Sequence, residues 1–165
     1  MLLNNGYVVK DKLLLIMIQE NKELLLKDLC ARLPYGVKYM RYSWNYDTDQ
    51  ELPIIETLEC ADKDGYINHR RVYTVDDIKP YLFPLSSMTE EQFVELKVFA
   101  DLTDEGNTLE LVEWNDNYKT LEFWLEEIPS YCVIKVFDWL NRNHFDYREL
   151  IEKGLAIDAT GKGVY

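Results

Sequence analysis

Two histidines, His69 and His144, and three cysteines, Cys30, Cys60 and Cys132, are the residues of this 165-residue chain whose types suit nucleophilic or metal chemistry. Thiol catalysis needs a thiolate beside a base, with a third group orienting that base. Cys30 falls in one helical pattern and Cys132 in the first turn of another, which leaves Cys60 with His69, diagonal neighbours at best on adjoining strands. A buried cysteine that packs as a small apolar residue is the preferred reading. No Cys-x-x-Cys spacing marks a zinc ribbon or a redox pair, so neither a metal site nor a cofactor is expected.

His144, followed by Phe145 and Asp146, is a candidate general base oriented by Asp146. Asp146 equally suits the N-cap of a following helix, and a histidine just past a helix end can satisfy the last carbonyls. One histidine without a nucleophile is not a mechanism, so no catalytic residue is assigned and an enzyme using His144 and Asp146 ranks last. Gly161-Lys162-Gly163 lacks the leading glycine, the Ser/Thr and the following helix of a phosphate loop.

Binding chemistry is better represented. The run Tyr35 to Trp44 interleaves bases with aromatics (Tyr39, Arg41, Trp44), and Arg70 and Arg71 fall on a neighbouring strand, a combination that can hold single-stranded nucleic acid. Half the aromatics of any strand should face inward, however, and core packing is favoured. The formal net charge is −12, and Glu90 to Glu127 alone carries 12 acids against Lys97 and Lys119. This belt, with Glu110, Glu113, Glu122 and Glu126, repels nucleic acid and favours a basic protein partner.

The elements that must position these residues follow from periodicity. Asn21 is the expected N-cap of a helix over about 22–33, with Leu25, Leu29 and Leu33 recurring and Cys30 on the core face, ended by Pro34. A strand over 37–44 should follow. Segments 54–60 and 66–73 then form the expected hairpin around Asp62-Lys63-Asp64-Gly65, with Gly65 at positive φ and pairs Cys60–Ile67, Glu56–Arg71, Ile55–Val72 and Ile54–Tyr73. A short helical turn over 75–80 precedes a helix over 90–100 capped by Thr89. Segment 108–114 reads as a strand; 118–127 fits strand or helix, with strand preferred. Ser130 should cap a helix over 131–141 with Val133, Val136, Phe137 and Leu140 on one stripe. Asp146 should cap a shorter helix over 147–153, closed by Gly154.

The expected fold is α+β: an N-terminal helix, a small twisted antiparallel sheet (a meander) and C-terminal helices packed on it. Residues 22–165 are read as a single domain, with 1–21 as an N-terminal extension. The longest apolar run, Leu13 to Ile18, is too short to span a bilayer, and with three scattered cysteines a reducing, cytoplasmic setting fits.

Four stretches carry a resemblance: Lys22 to Val37 (KELLLKDLCARLPYGV), Ile78 to Glu91 (IKPYLFPLSSMTEE), Phe137 to Arg148 (FDWLNRNHFDYR) and Leu150 to Asp158 (LIEKGLAID). They resemble an abundant group of uncharacterised proteins of gut anaerobic bacteria and their prophages. Glu149 stands where that resemblance leads one to expect a glycine. The resemblance implies a bacterial or prophage setting and no particular activity. The expectation is therefore an accessory protein acting by protein contact, with a nucleic-acid-binding module as the alternative.

Overall fold

In a computed structural model, residues 5–62, 64–68, 70–102, 109–114, 118–123 and 128–165 are described, with backbone alone in 5–16, 70–72, 109–114, 118–120 and 122–123. The fold is α+β, and the chain forms two compact units, Met1–Lys79 and Pro80–Tyr165.

The first unit opens with helix α1, Asn5–Arg32. Asn21 is therefore an interior residue and not an N-cap: the stretch before it is rich in Leu, Lys, Ile, Met, Gln and Glu, with no proline to stop it. The buried stripe is Leu25, Asp28, Leu29 and Arg32, while Cys30 is exposed, contrary to expectation. The stripe turns away from Cys30 because the Asp28–Arg32 ion pair lies inside, Nε to Oδ2 at 2.7 Å. Pro34 in the 3₁₀ turn Leu33–Tyr35 ends the helix, and Gly36 at φ +64° redirects the chain.

Strand β1, Lys38–Asn45, pairs antiparallel with β2, Gln50–Thr57. This replaces the expected pairing of 54–60 with 66–73: Ile54, Ile55 and Glu56 lie opposite Arg41, Met40 and Tyr39. The cause is the loop between them. Asn45 Oδ1 accepts from the amides of Asp47 and Thr48, and Asp49 adopts φ +53°, so a tight four-residue turn joins sequence neighbours. The later hairpin is shorter, β3 Tyr66–Ile67 with β4 Arg70–Thr74, and the turn that leads into β3 is held by Asp62 Oδ1 and by Gly65 at φ +83°. A 3₁₀ turn, Val75–Asp77, follows, with a capping box between Thr74 and Asp77.

The unit boundary falls within β5, Ile78–Pro84, a strand that the sequence reading missed because Pro80 and Pro84 argue against one. In the second unit β5 pairs in parallel with β8, Phe145–Asp146, and β9, Ile157–Asp158. Between them come α2, Glu90–Phe99, with the Thr89–Gln92 capping box, and the antiparallel pair β6, Leu109–Trp114, and β7, Tyr118–Phe123. The last helix is α3, Ser130–Arg142. Pro129 occupies its N-cap, and Ser130 is the first helical residue rather than the cap.

The core of this unit gathers Met88, Leu96, Ile128, Cys132, Trp139 and Phe145. The buried face of α3 is Cys132, Val136, Trp139 and Leu140, rotated from the expected stripe, and Phe137 is 38% exposed. Residues 147–153 form turns and no helix, because Glu149 adopts φ +59°, which breaks the helical run.

Candidate functional site

Side chains alternate across a strand, so β1 divides into two faces with different chemistry. The inner face carries Tyr39 and Arg41, 1% and 4% exposed. Glu56, opposite Tyr39 in register, accepts from Tyr39 Oη at 2.7 Å and from Arg41 Nε and Nη2 at 3.0 and 2.8 Å. The paired fork is the strong geometry for a guanidinium and a carboxylate. It holds the Arg41 pKa above the ordinary arginine value, because the Glu56 hydrogen bonds outweigh the opposing effect of burial. The guanidinium carbon also sits 4.3 Å above the centre of the Tyr73 ring. Asn68, at φ +48°, closes the network, donating to Tyr39 Oη at 3.0 Å and accepting from the Glu59 amide at 2.7 Å.

The outer face is Met40, Tyr42 and Trp44, opposite Ile55, Pro53 and Glu51. Tyr42, Trp44 and Ile55 are 53%, 48% and 51% exposed, and Tyr46 at the hairpin tip is 90% exposed. An apolar ladder of this kind on a water-facing surface marks a contact site more often than a scatter of single exposed residues does.

The candidates read from the sequence are therefore separated. Trp44 is exposed, whereas Tyr39 and Arg41 lie on the buried face, and Arg41 is committed to Glu56. The side chains of Arg70 and Arg71 lie outside the described residues, as does His69. Of the acidic belt, Glu110 stands opposite Glu122 and Glu113 opposite Lys119 in the β6–β7 register, their side chains and all of Glu126 being outside the described residues.

His144 belongs to a second candidate, a cleft of about 410 Å³ in the second unit. His144 takes φ +59° directly after α3; its ring stacks on Tyr165 at 4.1 Å and 15°, and its carbonyl accepts from the Phe83 amide at 2.9 Å. Tyr165 in turn packs on Phe83, Phe83 on Phe145, and Phe145 on Trp139, a continuous chain of rings drawn from three distant parts of the sequence. Asp146 is engaged elsewhere: Oδ1 accepts from the amides of Arg148 and Leu150 and Oδ2 from that of Ile151. These bonds make it the anchor of the following turn, the capping role with no helix behind it.

Among the described residues no three His, Cys, Asp or Glu side chains gather to hold a metal ion, and no helix is long and apolar enough to cross a membrane. Sequence reasoning missed Tyr42, Tyr46 and Ile55. The signal was available: Asn45-Tyr46-Asp47-Thr48-Asp49 is turn-forming, and period-2 alternation from a buried Tyr39 puts Tyr42 and Trp44 together outside. Comparison with protein-family models, curated proteins and solved structures finds no match.

Proposed function

We propose that this chain is a small accessory protein of a bacterium or its prophage that acts by binding another protein, through the outer face of the β1–β2 hairpin. The observation that supports this reading is the exposed ladder Tyr42, Trp44 and Ile55 beside a half-buried Met40, extended by Tyr46 at the tip. Aromatic residues held on a rigid ribbon lose little side-chain entropy on binding and supply the large contacts that dominate interfaces. The acidic belt contributes long-range attraction for a basic partner and acts on association rate more than on residence.

Nucleic acid is the weaker alternative, since Arg41 and the exposed rings lie on opposite faces of β1. The test is affinity capture from bacterial lysate with the wild type and a Tyr42→Ser, Trp44→Ser, Ile55→Ser variant of unchanged melting temperature. A partner retained by the first and lost by the second is expected; equal recovery of every partner would refute this surface. A parallel variant with Glu110, Glu113, Glu122 and Glu126 changed to lysine, captured at low and high salt, isolates the contribution of the belt.

A further inference from the structure

The cleft around His144 makes no use of the hairpin and stands apart from the protein-contact reading. We infer that it is a binding site for a small planar organic anion, an aromatic or heteroaromatic ring bearing a carboxylate or a phosphate. The size is suitable: about 410 Å³ lies within the range of small-molecule sites. One wall is aromatic, formed by Phe83, Phe145, His144 and Tyr165, and offers flat apolar surface at which a ring can pack.

The polar lining combines one guanidinium with neutral hydroxyls and amides. Arg142 lines the cleft and, among the described residues, its guanidinium has no carboxylate partner. Gln92 uses Oε1 to accept from the Thr89 amide, which leaves its Nε2 hydrogens to the cleft. Thr160 adds a hydroxyl, and Asn143 an amide whose Nδ2 also donates to the Trp139 carbonyl at 3.0 Å. The chain holds 30 acids against 18 Lys and Arg, yet among the described residues no Asp or Glu side chain lines this cleft. In so acidic a protein, a hollow that carries a guanidinium and no described Asp or Glu side chain favours negative charge, and the planar fork of arginine matches carboxylate and phosphate oxygens.

A cation in the last turn of α3 is also favourable toward the helix C-terminus, so the experiment must separate binding from stability. Amide NMR spectra of the full chain are recorded with benzoate, phenyl phosphate and benzamide as probes, at concentrations up to the millimolar range. Benzoate, phenyl phosphate or both should shift the amides of Arg142 to Phe145 and of Thr160 and Gly161, and benzamide should not. The preferred anion identifies the headgroup. Arg142→Gln, with its melting temperature checked, should weaken anion binding by about tenfold, the scale of one charge-assisted hydrogen bond. Equal response to benzamide, undiminished binding by Arg142→Gln, or no response to any of the three probes overturns the proposal.

Discussion

The two units use aromatic residues in opposite ways. In the first, Tyr42, Trp44 and Tyr46 stand on the surface of a hairpin, whereas in the second the buried Trp139 and Phe145 lead through Phe83 and the partly exposed Tyr165 to His144 in one series of ring contacts. Residue type does not decide between these fates; the partner across the strand or helix does. Tyr42 and Trp44 oppose Pro53 and Glu51 and keep 53% and 48% of their surface in water. Trp139 is stacked on Phe145 at 5.6 Å and 11°, and its indole Nε1 donates to Glu95 Oε1 at 3.3 Å. A ring left outside costs solubility and is explained by contact; a ring inside is explained by stability.

Paired substitutions make the comparison quantitative. Trp139→Ala should destabilise by about 3–5 kcal/mol, the cost of a large aromatic removed from a packed core. Trp44→Ala should stay within about 0.5 kcal/mol, as surface changes do. Thermal or urea unfolding reads both. A large loss from Trp44→Ala would place that ring in a core contact and remove the argument for an interaction face.

The polar interior of the first unit gives the next largest effect. Glu56→Gln leaves Arg41 charged and buried with its fork broken, and should cost about 2 kcal/mol, below the full penalty for a buried pair because Glu56 is itself partly exposed. The double variant Glu56→Gln, Arg41→Met should recover part of that loss in urea unfolding. Failure to recover would show that Arg41 contributes through Tyr73 as much as through Glu56.

Much of the architecture is legible in the sequence where a local signal decides it. Thr89 with Gln92 three residues on marks α2, and both hydrogen bonds of the box form. The strands β6 and β7 follow from alternation. The β1–β2 hairpin escaped because the glycine at Gly65 is a louder turn signal than Asn45 to Asp49, although the turn at Gly65 closes only the Ala61–Ile67 bridge and the latter closes an eight-pair ladder. The buried stripe of α1 escaped for another reason: apolar periodicity cannot anticipate that Asp28 and Arg32 go inside as a pair, displacing Cys30. Of the candidate surfaces, Trp44 and His144 were visible as residues, but neither the outer ladder nor the ring series was, since both are assembled by tertiary pairing.

A smaller effect is expected from the start of the chain, where residues 1–21 are proposed as an extension. Met17 to Glu20 are exposed, and among the described side chains of α1 the first buried one is Leu25. Deleting residues 1–16 should therefore keep a cooperative melt with a shift of a few degrees. Loss of the cooperative transition would mean that the first turns of α1 hold part of the core.

The smallest expected change is in the second unit, at a position where contact and backbone oppose each other. Glu149 adopts φ +59°, a conformation that suits glycine and strains a residue with a Cβ. Its compensation is an exposed ion pair with Lys153 Nζ at 2.7 Å, and the hydrogen bond from Lys153 holds its carboxyl below the usual glutamate range. A pKa depressed in the folded state stabilises above the unfolded value of 4.5, and that stabilisation disappears as pH falls through the folded value. Exposed pairs contribute little, so relief of the backbone should win, and Glu149→Gly should raise the melting temperature at neutral pH by about 1–3 °C. The advantage should widen in acid, because the wild type loses its ion pair there and the glycine variant has none to lose. Melting curves at neutral pH and below pH 4.5 decide it. A variant less stable at neutral pH would mean that the Lys153 pair, and not the left-handed turn, organises the segment after Asp146.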